Sequence, residues 1–258
     1  MIKFGRLLAM TMLIAHILLG PLNQLSAAEP AKQKSSTHDL IRHLLDQDLG
    51  TRTFPFPDVV RASCGKNVIP ADLQNPAHQL ILDAIAAAAD DAITAMNAPS
   101  APVRNLRRIN EASHFFEEHL RQQIHSQPSL SCAIPTNSKG KQQRTGYPDL
   151  IITHTSAEGT ITHAYLDPKL YEQKSEASSL RTFYFEPRTH TNKIQHHAMH
   201  LLLGISHDGN DGAWTFSSWK LCDLSKFSVR LRAEFQSSNR DIYRPQIIIR
   251  SSDTASAR

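Results

Sequence analysis

The stretch from Asp149 to Tyr171 constrains this chain most. DLIITH and ITHAYLDPKLY are apolar runs of strand length, rich in β-branched and aromatic residues, on either side of TSAEG. Such runs around a Gly-containing turn specify an antiparallel hairpin. A turn centred between Ala157 and Glu158 sets Asp149 opposite Leu166. A turn centred between Glu158 and Gly159 sets it opposite Pro168. In either register Asp149 lies within about one residue step, about 3.4 Å, of Asp167. Asp167 and Lys169 are two apart and point to the same face. An apolar hairpin thus gathers two carboxylates and an ammonium at one end.

Two adjacent carboxylates repel each other unless a cation lies between them. A hard cation such as Mg²⁺ takes oxygen ligands and retains waters. It lowers the pKa of a bound water and stabilises charge on a phosphate. A nearby lysine orients that water or neutralises developing charge. The set suits hydrolysis of a phosphodiester. The plainer reading of the same residues is a solvated Asp–Lys bridge on a surface hairpin.

Elsewhere the pattern is mixed. THDLIRHLLDQDLG reads as a short amphipathic helix stopped by Gly50. Residues 51–70 are rich in Pro and Gly and read as irregular. NPAHQLILDAIAAAADDAITAMN reads as a long helix, with Asn75 as N-cap and Pro76 in the first turn. A second helix is predicted over 104–126, with an apolar stripe of Ile109, Phe116, Leu120 and Ile124. Residues 126–146 read as a polar linker and RTHTNKIQHHAMHLLLG as a helix. AWTFSSWKLCDL and KFSVRLRAEFQ read as strands, with RPQIIIR as a short edge strand. The order suggests an α/β or α+β core with an N-terminal helical part. The expected division is 1–28 as a leader, 29–103 as a helical region, 104–250 as the core and 251–258 as a tail.

The leader reading rests on Lys3 and Arg6, the apolar run LLAMTMLIAHILLG, and small residues at Ser26 and Ala28, the pattern of a secretory signal peptide. An uncleaved anchor competes, but the run is short for a span and His16 interrupts it. Cleavage near Ala28 removes two positive charges, taking the net charge of the 258-residue chain from +4 to +2. The mature protein is then expected to be exported, free of the membrane, and only mildly basic. That balance permits a nucleic-acid partner without arguing for one. Cys64, Cys132 and Cys222 follow no zinc spacing. One disulfide with a spare thiol, or three separate thiols, both fit.

YPDLII followed by YLDPKLYE resembles the PD-(D/E)XK nuclease superfamily, which includes most type II restriction endonucleases. Pro148-Asp149 matches its PD, and Asp167-Pro168-Lys169 its (D/E)XK. The likeness extends over about residues 104–244, because helix, hairpin, helix and strand follow in the family's order. It implies a central mixed sheet flanked by helices and a metal-dependent endonuclease. The implied cofactor is Mg²⁺, with Mn²⁺ as substitute. The implied partner is double-stranded DNA, and a homodimer is compatible. Asp149 and Asp167 would be metal ligands, and Lys169 would assist the water. A glutamate from the preceding helix often completes that metal site. Glu117 shares a face with Leu120 and Ile124, and Glu118 is the reserve. Pro168 departs from the usual pattern: proline donates no ladder hydrogen bond, so it needs an edge or a bulge.

Arg181, Arg188 and Lys193, which follow the hairpin, and Arg230 and Arg232, which share a face of the last long strand, are candidates for tracking a phosphate backbone. His190, His196, His197, His200 and His207 suggest a second chemistry. His196 and His200, four apart on a helix, would present two imidazoles to zinc. SHDGNDGAW resembles part of a calcium loop but lacks its closing glutamate, and reads as a turn. The functional expectation is an exported metal-dependent DNA endonuclease. The alternatives are a catalytically silent DNA-binding or interaction protein of the same fold, and a zinc hydrolase using the histidines.

Overall fold

The computed structural model describes residues 36–180, 183–232 and 234–250. The expected leader and tail, residues 1–28 and 251–258, lie outside them. The chain divides into a unit ending at Gln47 and a unit beginning at Asp48. In the first, helix α1 (Thr37–Asp46) is closed by a capping box. Asp39 N donates to Ser36 Oγ, and the Asp39 carboxylate accepts from Ser36 N. Its side chains are all exposed.

The second unit is built on a five-stranded mixed sheet of order β2-β3-β4-β5-β6. The strands are β2 (Leu130–Ala133), β3 (Leu150–Thr155), β4 (Ile161–Glu172), β5 (Met199–His207) and β6 (Phe216–Asp223). Only the β4–β5 pair is parallel. Two helices cover one face: α3 (Pro76–Asn97) and α4 (Ser113–His125). Asn75 Oδ1 accepts from Ala77 N and His78 N and so satisfies the open end of α3. Ala88, Ala89 and Ala92 keep that helix slim where it meets the sheet. Phe116, Leu120 and Ile124 of α4 are fully buried against the same core. Each large apolar side chain so placed stabilises the fold by about 1.5–3 kcal/mol. Although α3 lies within the 29–103 stretch, it packs into the same core as the sheet.

The opposite face carries an aromatic cluster. Alternation along the strands sends Leu150, Ile152, Leu166 and Leu203 toward α3 and α4, and Ile151, Tyr165 and Leu202 the other way. There they meet helix α2 (Phe56–Cys64), whose Phe56 ring packs edge-on against Tyr147 with centroids 5.6 Å apart. Beside it, β1 (Thr53–Pro55) pairs with β7 (Ser228–Arg230) in a two-stranded sheet. A four-residue helix α5 (Asn239–Ile242) follows.

Six sequence expectations change here. Residues 56–64 form α2, with prolines at its start, where a missing N–H costs nothing. The helix predicted from residue 104 starts at Ser113, after two 3₁₀ turns. The supposed linker supplies β2. The helix predicted over 188–204 is an irregular stretch leading into β5. The run MHLLLGISH is buried on both faces, and a continuous apolar run carries no period to separate strand from helix. The long strand over 227–235 shrinks to β7, and the residues of RPQIIIR form a turn.

Candidate active site

The hairpin adopts neither expected register. Leu150 pairs with Leu166 and Thr155 with Ile161, so the turn centres on Glu158. Gly159 takes φ +82°, a conformation side chains resist, and Ser156 N donates to Thr160 O to close the turn. One step beyond the last pair sets Asp149 opposite Asp167. Because β3 begins at Leu150, β4 runs on from Asp167 with a partner on the β5 side only. Pro168 sits on this half-open stretch, as a residue without an N–H requires.

Asp149 is placed by what precedes it. Tyr147 is buried, and its hydroxyl lies 2.8 Å from Nδ1 of the buried His200. The carboxylates and the lysine then meet. Lys169 Nζ lies 2.6 Å from Asp167 Oδ2 and 3.5 Å from Asp149 Oδ2. Asp167 Oδ2 is buried, and its close partner is the Lys169 ammonium. Burial, and then the charge of Asp149, push the Asp167 carboxyl up from 3.8 to about 7. Burial works against the Lys169 charge, but Asp167 and Asp149 outweigh it and hold its pKa above the ordinary value.

Glu117 joins from α4. Its pKa rises to about 7, mainly by burial and then by the charge of Asp149, while Lys169, Arg144 and Lys193 oppose the rise. Glu118 turns away. Both its oxygens accept from Arg121, Nε at 3.0 Å and Nη2 at 2.5 Å, and Gln122 donates to it at 2.8 Å. Those bonds hold its pKa down at about 2. Glu118 and Arg121 line a groove of about 490 Å³ with His114, Ala133, Gln142 and Arg144. Arg144 had no place in the sequence argument. Its position five residues before Asp149 was the available signal.

The expected phosphate contacts separate. Lys193 is buried and cannot track a backbone along the surface. Arg188 pairs with Glu186, and Arg232 with Glu234. Arg230 ends β7, so Arg232 lies beyond the strand and the two share no strand face. Arg181 lies outside the described residues. The histidines separate too, because no helix carries them. His196 stacks on His163 with centroids 4.0 Å apart, His197 Nδ1 accepts from Asn67 N, and His207 Nδ1 accepts from Gly209 N. Burial drives His200 down to about 3. Among the described residues no three His, Cys, Asp or Glu side chains, those of the acid site included, form a ready-made metal cage. The zinc reading loses its geometric basis. The three cysteines are free thiols, and burial raises Cys132 to about 12.

The acid site itself suits a hard divalent cation. Its donors are all oxygens, and the carboxylates outnumber the lysine between them.

Comparison with known proteins agrees with this architecture. The model of the Type II restriction enzyme MjaV family matches residues 49–246. The Type II restriction enzyme MjaV of Methanocaldococcus jannaschii is 27% identical over 208 residues, covering 77% of this chain and 88% of that protein. With a mixed sheet flanked by helices and a match over most of its length, the chain belongs to the type II restriction enzyme MjaV family.

Proposed function

We propose that this protein is a DNA endonuclease that hydrolyses phosphodiester bonds in double-stranded DNA and requires Mg²⁺, with Mn²⁺ as a substitute. The observation that carries the reading is the meeting of Asp149, Asp167 and Lys169 where β3 stops and β4 runs on. Membership of a restriction enzyme family supports DNA as substrate.

Asp149, Asp167 and Glu117 would hold the divalent cation, which supplies an activated water and charge stabilisation at phosphorus. The chain's own residues do the rest. Lys169, fixed between two carboxylates, is placed to orient the attacking water and to offset charge on the phosphate oxygens. Burial of Asp167 keeps bulk water from competing for its oxygens. The groove that Arg121 and Arg144 line, with Glu118 held on Arg121, offers the phosphate backbone a path, and Arg144, whose charge acts on Glu117, links it to the acids. Residues 1–28 precede the matched span and support export of the mature chain after cleavage near Ala28. The N-terminal residue of protein purified from its native cell tests that part.

Supercoiled plasmid with Mg²⁺ tests the activity. Wild-type protein should nick or linearise it, while Asp149→Asn, Asp167→Asn and Lys169→Ala should not, with circular dichroism unchanged. Near wild-type cleavage in any two of these variants would refute the site. Full cleavage after thorough chelation would refute the cation requirement.

A further inference from the structure

Asp149 enters the acid site just ahead of the paired ladder, because β3 begins one residue later at Leu150. Its side chain meets Lys169 at 3.5 Å. The firm hold on this part of the chain lies two residues upstream. Tyr147 is 7% exposed, and its ring stands edge-on to Phe56 and Phe183, with centroids 5.6 and 5.1 Å apart. At the tip of that ring the hydroxyl lies 2.8 Å from Nδ1 of His200.

His200 is a rigid partner. It stands in β5 opposite Tyr165 of β4, and its side chain is fully buried. The rings of Tyr165 and Phe56 pack against it with centroids 5.0 and 5.7 Å away. A neutral imidazole has one donor and one acceptor nitrogen. Nε2 is buried with no hydrogen-bond partner, so among the described residues the Tyr147 hydroxyl is the only hydrogen bond of the ring. A ring buried with half of its hydrogen-bonding capacity unused is less favourable than an apolar side chain of similar shape. What the imidazole adds here is a fixed partner for Tyr147. Tyr165 and Asp167 are two apart on β4 and share a face, so this aromatic anchor and the carboxylates lie along the same side of the sheet.

We propose that His200 and Tyr147 are positioning residues for Asp149. The imidazole, set in β5, fixes the Tyr147 hydroxyl, and the anchored Tyr147 fixes where Asp149 leaves the loop to face Asp167 and Lys169. The inference rests on the cation site proposed above. The pair supplies no ligand and acts through the place of one carboxylate.

Calorimetric titration of the full chain with Mn²⁺ in the absence of DNA tests this, at a temperature where circular dichroism finds every variant folded. Tyr147→Phe removes only the hydroxyl and should bind Mn²⁺ about tenfold more weakly than wild type. His200→Leu should do the same. The double variant should bind no more weakly than either single variant, because both changes break one bond. A pair that served packing alone would lower the unfolding temperature and leave Mn²⁺ affinity of the folded chain unchanged. General damage to the core would make the two losses of affinity add. Wild-type affinity in either single variant, or additive losses in the double variant, would overturn the inference and leave the cation site standing. If His200→Leu does not fold, Tyr147→Phe breaks the same bond from the other end and decides alone. A wild-type chain that binds no Mn²⁺ would overturn both this inference and the cation reading beneath it.

Discussion

Replacing Asp167 with asparagine removes a buried charge while keeping the shape of the side chain, so the fold and the chemistry should respond in opposite directions. The carboxyl rises from 3.8 to about 7 in the fold, by burial and then by the charge of Asp149. A carboxyl with a raised folded pKa binds its proton more tightly in the native state. Its contribution is intact below about pH 4 and is lost as the pH climbs through about 7. At about 1.4 kcal/mol per tenfold, the ionised form carries a penalty of about 4 kcal/mol at pH 8. Lys169 and Glu117 redistribute part of that penalty, so asparagine should recover about 2 kcal/mol. Urea unfolding in EDTA at pH 8 should therefore find Asp167→Asn more stable than wild type by about that amount. At pH 5 wild-type Asp167 is protonated in the fold, and the gap should shrink to under about 1 kcal/mol. Excess Mg²⁺ should narrow the gap at pH 8, because a ligand of the native state stabilises only the chain that binds it. A variant less stable than wild type at pH 8, or a gap that ignores pH, would refute the reasoning.

Other measurements follow from the same geometry. Glu117→Gln should reduce metal-dependent cleavage about 10–100-fold, whereas Glu118→Gln should change it little; equal small effects would place both outside the site. With Asp167 and Glu117 both raised to about 7, protons compete with the cation, so Mn²⁺ affinity measured by calorimetry should rise from pH 6 to pH 8; a flat profile would argue against these ligands. Arg144→Gln, tested for DNA binding by anisotropy on an Asp167→Asn background, should weaken binding and lower the salt slope by about one; an unchanged slope would remove the groove from the DNA path.

How far the site was legible depends on what held each residue. Asp149, Asp167 and Lys169 are gathered by period-2 alternation and one tight turn, both visible in the sequence, and the observed register falls between the two expected. Glu117 could be told from Glu118 because helical periodicity groups it with Leu120 and Ile124. Lys193 could not be read, since nothing local marks a lysine for burial. Its ammonium is held by Gln143, fifty residues earlier. The β5 run was misread because a strand covered on both faces looks like any apolar stretch. The long strand after Phe227 failed for the opposite reason. Its alternation is clean, but among the described residues its only strand neighbour, β1, is three residues long, so only three residues pair. Arg181, Arg188, Arg230 and Arg232 were chosen by charge and sequence position, and charge alone says nothing about orientation.

Among its described residues, the parallel crossover between β4 and β5 contains no α-helix. A helical crossover protects its own amides through internal hydrogen bonds. Near Lys193, two successive amides depend instead on one phenolic oxygen, that of Tyr165. Tyr165→Phe would deprive both amides of their acceptor in one step. This stretch should open as its own small cooperative unit, well below the free energy that unfolds the sheet. Hydrogen exchange at Gln195 and His196 then becomes a gauge of that single hydroxyl. Removing the Tyr165 hydroxyl should loosen the stretch and speed exchange at those two amides, while the amides of the β4–β5 ladder stay protected.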